Sequence, residues 1–120
     1  MKYSFYKKII DTTKRTYFLV KAEKNYSPLQ NIDFTKKDVS VAQAIRDGVE
    51  ASRNSTFAEA YSWANEDVSL KSMQHGVFLW DDMARRSNKN LPAKQDLMLT
   101  HDEFITFMTD FKNFIQSQTQ

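Results

Sequence analysis

Residue types able to do chemistry concentrate in the opening segment, "YSFYKKIIDTTKRTYFLVKAEK" (residues 3–24). Lys7, Lys8, Lys14, Arg15, Lys21 and Lys24 supply cations there, and Tyr3, Phe5, Tyr6, Tyr17 and Phe18 supply rings. Cations displace counterions from a phosphate backbone and ring faces let bases stack, so the mixture suits nucleic-acid binding. A structural role competes with it. In a half-buried hairpin the rings line the core, while the lysines keep the exposed edge from pairing with other chains. The segment matches no RNP or basic-helix signature, so its signal is compositional. Arg85 and Arg86, with Lys89, form a second basic cluster that extends this surface only if the fold sets it beside the hairpin. At a helix C-terminus the same cations complement the helix dipole.

Other chemistries find little to work with. His101, Asp102 and Glu103 are consecutive, so on a helix they point three ways, and no His-x-x-x-His or Glu-x-x-His spacing involves His75 or His101. No serine sits in a Gly-x-Ser-x-Gly elbow, and two glycines, Gly48 and Gly76, cannot form a phosphate-cradling loop. The expectation is a non-enzymatic protein with no cofactor and no metal. A contact surface for another protein is the remaining class. Trp63, Tyr6 and Tyr17 are its candidates, because aromatic residues are enriched at interaction hot spots. Trp63 falls off the Phe57/Tyr61/Ala64 stripe of a helix read over that stretch, and packing on a second helix explains it equally well.

Composition bounds the setting. A chain of 120 residues with 41% apolar and 27% charged residues suits a single folded domain, 1–120. Nine phenylalanines let a small core bury a large area. There is no cysteine, which fits a reducing, cytoplasmic setting. No stretch is apolar and long enough for a membrane span, and Lys7 and Lys8 interrupt any leader-like run. Net charge is +2 and unevenly spread: residues 1–37 carry nine Lys/Arg against three acids, and the remainder carries eight against twelve. A basic end of this kind suits a polyanionic partner, or simply the acidic helices of its own fold.

The elements that would position these groups read as follows. Residues 1–24 support either a helix, through Tyr3, Tyr6, Ile10, Thr13, Tyr17 and Val20, or a hairpin around "DTTK". The threonines and the Tyr-Phe-Leu-Val run favour the hairpin. Residues 38–117 read as helical. Val41, Ile45, Val49 and Ser52 share one face after an Asp38 or Ser40 cap. Thr56 and Glu59 have capping-box spacing before a second helix. Leu70, Met73, Val77, Trp80 and Ala84 give a third stripe. Thr100 and Glu103 cap a fourth helix carrying Phe104, Phe107, Met108, Phe111 and Ile115. The fold class expected is therefore α+β, mainly α: an N-terminal β-hairpin packed on a compact bundle of about four helices. The function expected is a regulator or inhibitor that occupies a surface of a larger partner. That partner is a protein, or nucleic acid held by Lys7, Lys8, Lys14, Arg15, Lys21, Arg85 and Arg86. A homodimer through an apolar helix face stays open.

Overall fold

The computed structural model describes residues 2–92 and 94–118. The hairpin is present. β1 (Tyr3–Ile10) pairs antiparallel with β2 (Arg15–Ala22) around the turn Asp11–Lys14, and the short β3 (Phe34–Thr35) pairs with the far side of β2. Register puts Tyr3, Phe5, Phe18, Val20 and Phe34 on the inner face of this first sheet. Between β2 and β3 the chain makes 3-10 turns over Lys24–Asn31, which bury Pro28 and Leu29. After a 3-10 turn at Lys36–Asp38 comes helix α1 (Val39–Ala51), whose buried residues are Ala42, Ile45 and Val49. Val41, expected on that face, is 37% exposed. Asp38 precedes α1 but does not cap it with its side chain. Its carboxylate accepts instead from the Thr35 N–H at 2.8 Å and the Thr35 hydroxyl at 2.9 Å.

The middle of the chain overturns the helical bundle. Residues 61–81 form three strands, β4 (Tyr61–Ala64), β5 (Val68–Met73) and β6 (Gly76–Asp81), and β7 (Leu97–Leu99) completes a four-stranded antiparallel sheet in the order β4-β5-β6-β7. The fold is a balanced α+β arrangement of two antiparallel sheets with helices, not a mainly α bundle. Two turns explain why. Asn65 Oδ1 accepts from the backbone N–H groups of Asp67 (2.8 Å) and Val68 (2.9 Å), which turns β4 into β5. Gly76 closes the β5–β6 hairpin at φ +134, where a side chain is strained, and a Cβ there would stand 3.0 Å from the Leu99 carbonyl oxygen. Val68, Leu70 and Ser72 then alternate inward opposite Asp81, Leu79 and Val77. The capping box expected at Thr56 and Glu59 does not form: Phe57–Glu59 is one 3-10 turn without a side-chain cap.

One helix follows β6 and another follows β7. Short α2 (Asp82–Ser87) is capped by the Asp81 carboxylate, which accepts from the Ala84 N–H. Helix α3 (His101–Gln118) carries the expected apolar face, with Phe104, Phe107, Met108, Phe111 and Ile115 buried. Its capping box is real: the Thr100 N–H donates to Glu103 Oε1 at 2.9 Å, and the Glu103 N–H donates to the Thr100 hydroxyl at 3.1 Å. One apolar cluster draws on both sheets, α1 and α3. Asn31 and Asn65 stitch the 3-10 segment to the second sheet. Asn65 Nδ2 donates to the Asn31 carbonyl at 2.9 Å, and Asn31 Nδ2 donates to Asp81 Oδ1 at 2.8 Å. Among the described residues no helix is long and apolar enough to cross a membrane.

Candidate interaction surface

Strand alternation decides what the first sheet shows outward. Phe5 faces Val20 and Lys7 faces Phe18 on the inner side, so Tyr6 with Leu19, Lys8 with Tyr17, Ile10 with Arg15 and Ser4 with Lys21 share the outer side. Thr35 extends that side beside Tyr17. The outer face thus mixes two rings, three cations and two aliphatic side chains. Tyr6 is 46% exposed and Tyr17 half-buried. Lys7 and Ile9 point to the inner side yet remain exposed, Ile9 at 56%, so the distal end of the hairpin projects beyond the helix (His101–Gln118) that covers Phe5.

The charges of this surface have no internal use. Lys7, Lys8, Lys14, Arg15, Lys21, Lys36 and Lys37 are all exposed, and none enters an ion pair among the described residues. Every arginine outside the hairpin is bound. Arg46 pairs with Asp47, and Arg53 with Glu50 and Asp102. Arg85 holds Asp96 at 3.1 Å and donates to the carbonyls of Pro92 and Lys94, while Arg86 meets Asp67 at 2.6 Å and the Glu66 carbonyl. Arg85 and Arg86 therefore act as anchors for the loop before β7 and the turn before β5. The structure does not add them to the hairpin surface.

Trp63 does not join that surface either. It lies on β4, not a helix, faces inward opposite Leu70, and its ring stands 6.4 Å from that of Phe34. Sequence reasoning counted Lys36 and Lys37 in the basic end without assigning them to a site. They directly follow β3 (Phe34–Thr35), and that adjacency sets them at the hairpin's side. It also missed the outward face of the second sheet, where Lys71, Phe78 and Met98 are cross-strand neighbours and the Lys71 ammonium lies 4.4 Å from the centroid of Phe57.

His101, whose neighbours in sequence cannot converge with it on a metal, serves the fold instead. Its Nε2 donates to the Met73 carbonyl at 2.7 Å, tying α3 to the end of β5. At the base of the first sheet, Lys2, Tyr3, Tyr26, Asp102 and Glu103 border a cavity of about 340 Å3. Lys2 already spans it, 5.2 Å over the Tyr26 ring and 3.4 Å from Glu103. The nearby Tyr26 phenol, and then the Glu103 carboxylate, raise the Lys2 pKa. Burial raises that of the Tyr3 phenol. Comparison with protein families, with characterised proteins and with solved structures finds no match, so the geometry of this chain alone carries the functional reading.

Proposed function

We propose that this is a non-enzymatic binding protein that lays the outer face of its first sheet against an acidic surface of a larger protein, as a regulator or inhibitor of that partner. The observation carrying this reading is a set of six exposed cations, Lys8, Lys14, Arg15, Lys21, Lys36 and Lys37, on and beside that face, none of which enters an ion pair among the described residues. The arginines outside the hairpin are bound internally, whereas Arg15 is left available. Tyr6, Tyr17 and Arg15 are types enriched in protein interfaces, and Leu19 and Ile10 between them add apolar area that a phosphate backbone has no use for. Cations at a rim of this kind steer association and select for acidic partners.

The test is affinity capture from the native source with the wild-type protein and with Lys8→Glu/Arg15→Glu, read by quantitative mass spectrometry. One partner with an acidic surface should be captured by the wild type and by a Lys89→Glu control, and lost with the double variant. Capture of the same partner by the double variant overturns the proposal. Both variants sit on exposed positions, so their melting temperatures should match the wild type.

A second reading rests on a separate observation: Tyr6 and Tyr17 share their face with Lys8, Arg15 and Lys21. That juxtaposition suits single-stranded nucleic acid, whose bases stack on rings while cations follow the backbone. A gel shift with a single-stranded oligonucleotide, weakening steeply with added salt and lost in Tyr6→Ala, would favour it. No shift at low salt removes it.

A further inference from the structure

Lys14 and Arg15 from the hairpin turn and Lys36 and Lys37 from the turn before α1 line one open hollow of about 400 Å3, with Thr16, Thr35 and Asp38. Four cations thus meet one carboxylate. That carboxylate is already engaged by the Thr35 N–H and hydroxyl, and it forms no ion pair with any of the four. Like charges gathered at one place repel one another, and an anion entering the hollow removes that repulsion as well as gaining its own attraction.

Lys14 adds an independent observation. Its φ is 55, the left-handed region, and it is the described non-glycine residue with positive φ. Glycine or asparagine occupies such a turn position with less strain. The turn therefore holds an ammonium where the backbone by itself favours another residue. Strain retained at a charged position points to use of the charge.

We propose that this hollow is an anion site that takes a phosphate monoester. At neutral pH such a group carries nearly two negative charges on three terminal oxygens, enough to meet several ammonium groups and the forked guanidinium of Arg15 together. A carboxylate offers a single charge and two oxygens. The inference deepens the outer-face reading by naming the group that anchors the partner, and it relies on that reading only for what carries the phosphate.

The experiment is a titration of the isotope-labelled protein at low ionic strength with phenyl phosphate, and with benzoate as the singly charged control, followed by amide chemical shifts. Saturable shifts confined to residues 14–16 and 35–38 are expected, with benzoate binding about tenfold more weakly or less. Binding should strengthen as pH rises through the second ionisation of the ester, near pH 6. Lys36→Glu/Lys37→Glu should abolish the shifts. Lys14→Gly should weaken binding while the melting temperature holds or rises, which separates loss of the site from loss of the fold. Absence of saturable shifts, equal affinity for benzoate, or unchanged binding in both variants overturns the proposal. Lys8 does not line the hollow, so Lys8→Glu should leave phenyl phosphate binding intact. If partner capture depends on Lys8 while no phosphate ester binds, the anion site falls and the outer-face reading stands.

Discussion

The rings of Phe5 and Phe111 lie stacked, with centroids 4.8 Å apart and planes 15° from parallel. This contact joins the first strand to the last helix. Phe111 also meets Phe34 at 5.2 Å and Phe107 at 6.0 Å, so one fully buried ring touches β1, β3 and its own helix. Truncating it opens a cavity bordered by three elements that cannot all close in. Phe111→Ala should cost about 3–5 kcal/mol, a large share of the ~5–15 kcal/mol that stabilises a domain. Urea denaturation measures this; a loss under about 1 kcal/mol would show that the ring is not the junction described here.

Gly48 lies inside α1, where alanine normally gains about 1 kcal/mol over glycine. Here the sign should reverse. A Cβ at this position would fall 2.3 Å from Cε1 of Tyr61 and 2.5 Å from two more atoms of that ring. Gly48→Ala should therefore destabilise by roughly 1–3 kcal/mol, the usual range for overpacking. Shortening the ring should restore the helix preference, so Gly48→Ala should be harmless or favourable in a Tyr61→Leu background. A double-mutant cycle without coupling would reject the contact.

Ser52 and Ser72 bury their hydroxyls together, 2.5 Å apart, and Ser52 donates onward to the Val49 carbonyl at 2.8 Å. Ser72 must then donate to Ser52. Removing Ser52 alone leaves the Ser72 hydroxyl buried without its acceptor, at about 1–3 kcal/mol. Ser52→Ala/Ser72→Ala removes both groups and should cost less than the two single losses combined. Additive losses would contradict the pairing.

Acid should loosen the start of α3. The Thr100 backbone N–H is the main cause holding the Glu103 pKa below its ordinary value, and a hydrogen bond from Arg53 does the same for Asp102. A carboxylate depressed in the folded state contributes stability that is complete above its unfolded pKa and is lost as pH falls through the folded one. The melting temperature should therefore be insensitive to these groups near neutrality and decline once pH drops below about 4. Glu103→Gln should make that decline shallower. An identical acid profile for the variant would dismiss the cap as its source.

Two parts of the fold were legible because local signals agreed. Thr100, Glu103 and the Phe104–Ile115 spacing all specify α3, and two β-branched, aromatic runs around a polar turn specify the hairpin. The second sheet was misread because its residues satisfy two periods at once. Leu70, Met73, Val77 and Trp80 are spaced like a helical stripe, while Val68-Leu70-Ser72 and Val77-Leu79 alternate like strands. Gly76 and the turn-forming Asn65 were the cues that decide between them, and they act through strand pairing that no single window contains. At the candidate surface the cations were readable as cations. Which of them the fold would spend internally was not, since Arg85 finds Asp96 and Arg86 finds Asp67 only once β5, β6, α2 and β7 have come together.

The placement of α3 has a bearing on how the molecule is made. Its phenylalanines complete the ring contacts of Phe5, Phe18 and Phe34, which stay partly uncovered until the helix exists. A ribosome adds roughly 5–20 residues per second, so the nascent chain carries those rings uncovered for several seconds before α3 emerges. Through that interval the lysines of the hairpin are the chain's own safeguard against sticking to its neighbours, the same charges that later face outward.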